Sequence, residues 1–237
     1  MRLEIVSLRT NVYIEDHAVP QLFTTAIEAF EFRHQSTLRG KGYDKLETFG
    51  LLWGYSIPKK GGAPARIVVT MATAETSAVR HSHWVQPNYE SVGAKKEFFE
   101  KYWPHLELVG TFHSHPYEGL KDINRVSGWR ASDDDKVFWP TFHELVAPEQ
   151  GSLLHLVIGI TRLERKGSAI PSRLSNSEYE KGYVLSAEHR KLWLRCYGTE
   201  LVINDENQRV YVFTDEAALE IPALEKRFQQ ASYSSGV

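Results

Sequence analysis

The sequence predicts a mixed α/β domain followed by an extension of strands, and three observations carry that prediction. LLHLVIGITRLER is a nearly unbroken apolar run, the pattern of a strand in the middle of a sheet. LETFGLLWGYSI and the β-branched RIVVTMATAE are two further strand-like runs, separated by Pro58 and the KKGGAP turn. Between these runs lie segments with helical apolar spacing, so the order reads helix, strand, strand, helix, strand, helix, strand.

The elements follow in chain order. After Pro20, Leu22, Phe23, Ala26, Ile27 and Phe30 recur at helical spacing, and STLRGKGYDK then reads as a loop. Past the two strands, residues 87–103 form a helix with Val92, Phe99, Tyr102 and Trp103 on one side, ended by Pro104. LELVGTF is a short strand that runs into HSHP. SDDDKVFWPTFHEL reads as a helix start, because a serine cap with acids in the first turn complements the helix dipole, and Pro140 is expected to stop or kink it. Beyond residue 165, TELVIN and RVYVF read as strands joined by DENQ, a short helix is expected in EAALEIPALEKRFQQ, and SYSSGV as a frayed tail. A catalytic domain over residues 1–165 and an extension over 166–237 are expected.

Composition narrows the function classes. The chain has 237 residues, 42% of them hydrophobic, so an ordered core is expected. A formal net charge of -2 gives no general attraction to nucleic acid or an acidic membrane. The single cysteine, Cys196, excludes an intramolecular disulfide and a cysteine-rich zinc site. The opening MRLEIVSLRTNVYIEDHAVP lacks the apolar run of a secretion signal, and no stretch approaches the roughly 18 apolar residues that span a bilayer. A cytoplasmic, soluble protein is the expectation.

The chemistry starts at His113 and His115. Residues two apart on an extended chain point to the same side, so HSH at a strand end presents two imidazoles to one point. Neutral imidazole is a common zinc ligand, and catalytic zinc commonly has three protein ligands with the fourth position open to water. The pair alone decides nothing, since His81 and His83 form a second HSH with no proline after it and no acid at suitable spacing. That second pair reads as solvated or partly packed. The first has company: downstream lies Ser132-Asp133-Asp134-Asp135, an S-x-x-D at a helix start, and upstream Glu47 leads into the apolar TFGLLWG.

Together, E-x-x-G-L-L-x-G, H-S-H-P and S-x-x-D resemble the JAMM/MPN metalloprotease family over residues 20–165. The resemblance implies an α-β-α sandwich of the cytidine-deaminase-like kind and a bound Zn2+ held by His113, His115 and Asp135. It further implies Glu47 as general base and Ser132 as a hydrogen-bond donor to the developing oxyanion. One departure is plain. The family spacing after the second histidine falls on Ile123 and Val126, so Ser132 and Asp135 match only if the loop carries nine extra residues. Loops tolerate such additions at small entropic cost. The serine spacing selects Asp135, with Asp133 and Asp134 as alternatives. Within the loop, residues 117–131, Tyr117, Arg125, Trp129 and Arg130 either grip substrate or form a surface excursion whose tryptophan packs on the domain.

The implied activity is that of a zinc metallopeptidase or isopeptidase that cuts an amide bond at the tail of a ubiquitin-like protein, the conjugate being the partner as well as the substrate. Hydrolysis of small or carrier-linked amides would use the same residues, and a non-catalytic JAMM-like scaffold is the alternative outside enzymology. A cupin-type site lacks its glutamate spacing, HExxH is absent, and Cys196 sits among large apolar residues as a packing cysteine.

Overall fold

The computed structural model describes residues 10–35, 41–58, 60 and 64–227. The SYSSGV tail and parts of the STLRGKGYDK and KKGGAP segments lie outside the described residues. The strands are β1 (Asn11–Ile14), β2 (Phe49–Ile57), β3 (Arg66–Ala74), β4 (Val79–Arg80), β5 (Val85–Gln86), β6 (Glu107–Gly119), β7 (Ser152–Arg173), β8 (Gly182–Ile203), β9 (Arg209–Thr214) and β10 (Ala218–Glu220). The helices are α1 (Ala18–Glu31), α2 (Tyr89–Tyr102), α3 (Leu120–Val126) and α4 (Asp133–Val146). Eight strands make one mixed sheet in the order β10-β1-β3-β2-β6-β7-β8-β9, while β4 and β5 pair only with each other. The β6–β7, β1–β3 and β1–β10 pairs are parallel.

Adjacent strand residues separate cleanly into two layers. Leu52, Leu154, Leu156 and Cys196 pack with Leu22, Phe23 and Phe30 of α1 on one face. Leu51, Trp53 and Leu153 pack with Val92 of α2 and Phe142 and Val146 of α4 on the other. Helices therefore cover both faces of the sheet, as period-two alternation in strands and apolar stripes on helices require. β7 crosses residue 165 without interruption, and β8 pairs with it from Arg173 back to Ser152. Cys196 and Leu219, from beyond that residue, share the core of Val12 and Leu22.

Several elements depart from the sequence reading. Asn11–Ile14 is a strand rather than an unassigned lead-in, held between β3 and β10. EAALEIPALEKRFQQ yields the strand β10 and one π-helical turn, Ala223–Arg227; its last three residues lie outside the described residues. Tyr102 and Trp103 are exposed instead of packed, and the residues of α2 bury mainly Val92. Pro140 does not stop α4, which continues to Val146. A proline inside a helix costs about 3 kcal/mol. Burial of Trp139, Phe142 and Val146, each large side chain contributing about 1.5–3 kcal/mol, offsets that cost. Among the described residues no helix is long and apolar enough to cross a membrane.

Candidate metal centre

β6 runs through the HSHP motif as continuous strand. Its neighbours on both sides are strands in this stretch: His113 pairs in register with Phe49 of β2 and Val157 of β7. With Phe112 committed to the α1 face, Thr111, His113 and His115 project towards α4. Ser114, between the histidines, ties the start of β2 to the site. Its N–H donates to the Thr48 carbonyl at 3.1 Å, and its Oγ accepts from the Thr48 N–H at 3.0 Å. That clamp sets Glu47, the next residue back, into the same cleft, where it is 7% exposed.

The carboxylate comes from the first turn of α4. Ser132 caps the helix: its Oγ accepts from the Asp135 N–H at 3.1 Å, and Asp135 Oδ2 accepts from the Ser132 N–H at 2.7 Å and the Ser132 hydroxyl at 2.8 Å. This reciprocal capping box holds the Asp135 side chain turned back towards the sheet. Oδ1 lies 3.1 Å from His113 Nε2 and Oδ2 3.4 Å from His115 Nε2, while the two Nε2 atoms are 2.9 Å apart. Of the neighbouring acids, Asp133 pairs with Lys136 at 2.7 Å and points into solvent; Asp134 lines the cleft without joining the donor group.

The extra loop supplies part of this arrangement. It is not loose: α3 occupies residues 120–126, Ser127 adopts a left-handed conformation with φ 51°, and the Gly128 N–H donates back to the Ile123 carbonyl at 2.8 Å. The turn aims the Gly128 carbonyl at His115 Nδ1, 2.9 Å away. A carbonyl only accepts, so Nδ1 carries the proton and Nε2 of the neutral ring is left as a bare donor atom. A Cβ at position 128 would stand 2.3 Å from the Tyr117 ring, so a larger residue there would displace that ring at the cleft. Trp129 stacks on Trp193 at 5.4 Å, Arg130 pairs with Glu178 at 3.0 Å and Arg125 with Asp122 at 3.7 Å. Of the loop side chains, Tyr117, Glu118 and Asp122 face the cleft.

Electrostatics agree with a cation position. Burial opposes a charge on His115, yet its contacts with Asp135 and Glu47 raise its pKa above the ordinary histidine value. Burial alone would raise Asp135, but the His113 and His115 imidazoles override it and hold the carboxyl far below the usual range. Glu47 is raised by burial, with His115 and His113 pulling the other way. A bare imidazole nitrogen facing a carboxylate across 3.4 Å is repulsive unless a proton or metal ion lies between them. Tetrahedral zinc, with ligands at about 2.0–2.2 Å, separates its donor atoms by about 3.3–3.6 Å, so the two Nε2 atoms and the carboxylate, 2.9–3.4 Å from one another, need to part by only about half an ångström to hold it. His113, His115 and Asp135 thus form a buried group that can hold a metal ion.

Over the group lies a cleft of about 500 Å³. One wall went unforeseen from sequence: the β4–β5 hairpin brings His83 and Trp84 of the second HSH segment to the cleft, and its His81 carbonyl accepts from the Glu47 N–H at 2.8 Å. Both hairpin histidines are exposed, as their lack of acidic company implied. Trp139, also on the cleft, sits 5.8 Å from the His113 ring. Its place four residues after Asp135 was a helical-spacing signal available in the sequence. No family model matches this chain, and no curated protein matches it.

Proposed function

We propose that the chain is a zinc-dependent metallo-isopeptidase of the JAMM/MPN type, cutting an amide or isopeptide bond at the tail of a ubiquitin-like protein. The observation that carries this reading is the convergence of His113 Nε2, His115 Nε2 and Asp135 on one point of an open cleft that Glu47 also lines. Two imidazoles and one carboxylate are a donor set suited to catalytic zinc. When bound, zinc supplies a Lewis acid for the scissile carbonyl and makes a water acidic near neutral pH, with a pKa of about 7.

The remaining work belongs to the chain's own groups. Glu47 takes the proton of the attacking water and delivers it to the departing amine; burial makes its carboxylate a stronger base than an exposed glutamate. Gly128 keeps the His115 tautomer that leaves Nε2 free. Ser132 orients Asp135 through the capping box, whose two backbone N–H bonds persist when the single hydroxyl hydrogen turns from Asp135 to an oxyanion in the cleft. The ubiquitin-like substrate rests on the resemblance of the E-x-x-G-L-L-x-G, HSHP and SxxD segments to that family.

The test is cleavage of a ubiquitin-like fusion by purified protein. Glu47→Gln is expected to lower kcat by about 10²–10⁴-fold, the usual worth of a general base, with zinc content and fold retained. Chelation of the metal is expected to abolish turnover and zinc to restore it. Turnover by Glu47→Gln at the parent rate overturns the mechanism.

A further inference from the structure

Behind the metal-binding group lies a second polar row, completely buried and spent on neither the core nor the cleft. On α4, Asp135, Trp139 and His143 recur every four residues and so share one face. On β6, Thr111 lies two residues before His113, on the same side of the strand. His155 of β7 and Thr199 of β8 complete the row. Thr111, His143, His155 and Thr199 are each 0% exposed.

Their hydrogen bonds run in one direction. The Gln150 carbonyl lies 3.1 Å from His143 Nε2 and can only accept, so that nitrogen carries the proton. His143 Nδ1 then accepts from the Thr199 hydroxyl at 2.9 Å. Thr199 Oγ1, with its hydrogen spent, accepts from His155 Nε2 at 3.0 Å. His155 Nδ1 accepts from the Thr111 hydroxyl at 2.8 Å. Both rings are neutral in this scheme and every ring nitrogen is paired. Trp139 lies flat on His155, with centroids 4.8 Å apart and planes at 9°, and it also meets the rings of His113, Tyr197 and Phe213. The row therefore links α4 to three strands through directional bonds, whereas apolar contacts alone would let the helix slide by fractions of an ångström.

We propose that Thr199, His155 and His143, together with Thr111, are positioning residues that set the depth and axial register of α4 and thereby place Asp135 for the cation. This inference rests on the metal-site reading above. Thr199 is the hub, because its hydroxyl donates to one ring and accepts from the other. Removing it unpairs two buried imidazole nitrogens, and α4 must shift or admit water to pair them again.

The experiment measures zinc affinity of the full chain by competition with a chromogenic chelator, alongside urea unfolding of the same metal-free proteins. Thr199→Val, nearly isosteric, is expected to weaken zinc binding at least about tenfold, the size of effect that supporting partners of metal ligands exert. Thr199→Ser keeps the hydroxyl and is expected to stay within about threefold of the parent on the same scale. Cys196→Ala removes a buried side chain on the opposite face of β8 and serves as the control for general destabilisation. It is expected to lower urea stability and leave zinc affinity unchanged. Parent-like affinity in Thr199→Val, or equal weakening in Cys196→Ala, overturns the positioning role while leaving the metal site standing. A parent chain that takes up no zinc removes the site and this inference together.

Discussion

The tripeptide His-Ser-His occurs twice in this chain, and only its surroundings distinguish the copies. At residues 81–83 it forms the bend between two strands of two residues each, with both imidazoles exposed and ring centroids 5.7 Å apart. At residues 113–115 it lies inside a strand paired with β7 throughout and with β2 at His113, with centroids 4.7 Å apart and the Nε2 atoms 2.9 Å apart. Even the serines diverge. Ser82 makes only a 3.5 Å contact to its neighbour His81, whereas Ser114 pairs with the Thr48 backbone N–H in the interior. Two histidines converge as donors that could hold a metal ion where the strand keeps them extended and a third donor is delivered across from them.

The largest test of that contrast is zinc binding by single variants. His113→Ala is expected to lose zinc by more than the about 10–100-fold that a supporting partner costs, and His83→Ala to bind as the parent does. Elemental analysis after gel filtration, with chelator competition, reads both; loss of zinc in His83→Ala would place the hairpin in the metal site. Acid sensitivity comes next. Burial holds His143 at about 4 against 6.5 in the unfolded chain, and burial first, then His143 and His113, holds His155 well below its ordinary value. A folded base with a depressed pKa favours the unfolded, protonated chain as pH falls, so this stability is whole above 6.5 and lost on the way down to 4. For His143 alone the loss approaches about 3 kcal/mol. Raised carboxyls such as Glu47 work in the opposite sense, so the informative quantity is the difference in pH slope between the parent and His143→Asn in urea unfolding. An identical slope would contradict the buried neutral ring.

The smallest effects separate the two serines. Ser114→Ala leaves the buried Thr48 N–H without its acceptor and is expected to cost about 1–3 kcal/mol, with reduced activity as Glu47 shifts. Ser82→Ala lies on the surface bend and is expected to stay within about 0.5 kcal/mol of the parent. Equal destabilisation by the two would remove the structural distinction drawn between the motifs.

Legibility followed the range of the signal. α1, β2, β3, α2, the start of β6, α4 and the apolar part of β7 could be read because each announces itself within a dozen residues, through periodicity or a cap. β1 could not, since four residues of NVYI become a strand only when β3 and β10 flank them. Of the stop or kink that Pro140 invites, the stop does not occur: local propensity argues for it, and burial of Trp139, Phe142 and Val146 against the sheet prevails. Within the site, the histidines and the S-x-x-D spacing were legible, as local geometry fixes which side chains share a face. The serine spacing favoured Asp135 over Asp133 and Asp134; that the capping box bends its carboxylate back to the imidazoles is visible only in the fold.

By itself, then, the amino-acid order determined a mixed α/β architecture and the residue types of a group that can hold a metal ion, because strand alternation, helical spacing and helix capping act between residues close in the chain. Tertiary structure alone decided that the loop after β6 folds into α3 and turns the Gly128 carbonyl onto His115, that the second HSH segment forms a cleft wall, and that His143, His155 and Thr199 join in one buried row. Those partners lie 13 to 56 residues apart, and hydrogen bonding at about 3 Å is blind to everything in the sequence except where the fold brings the atoms.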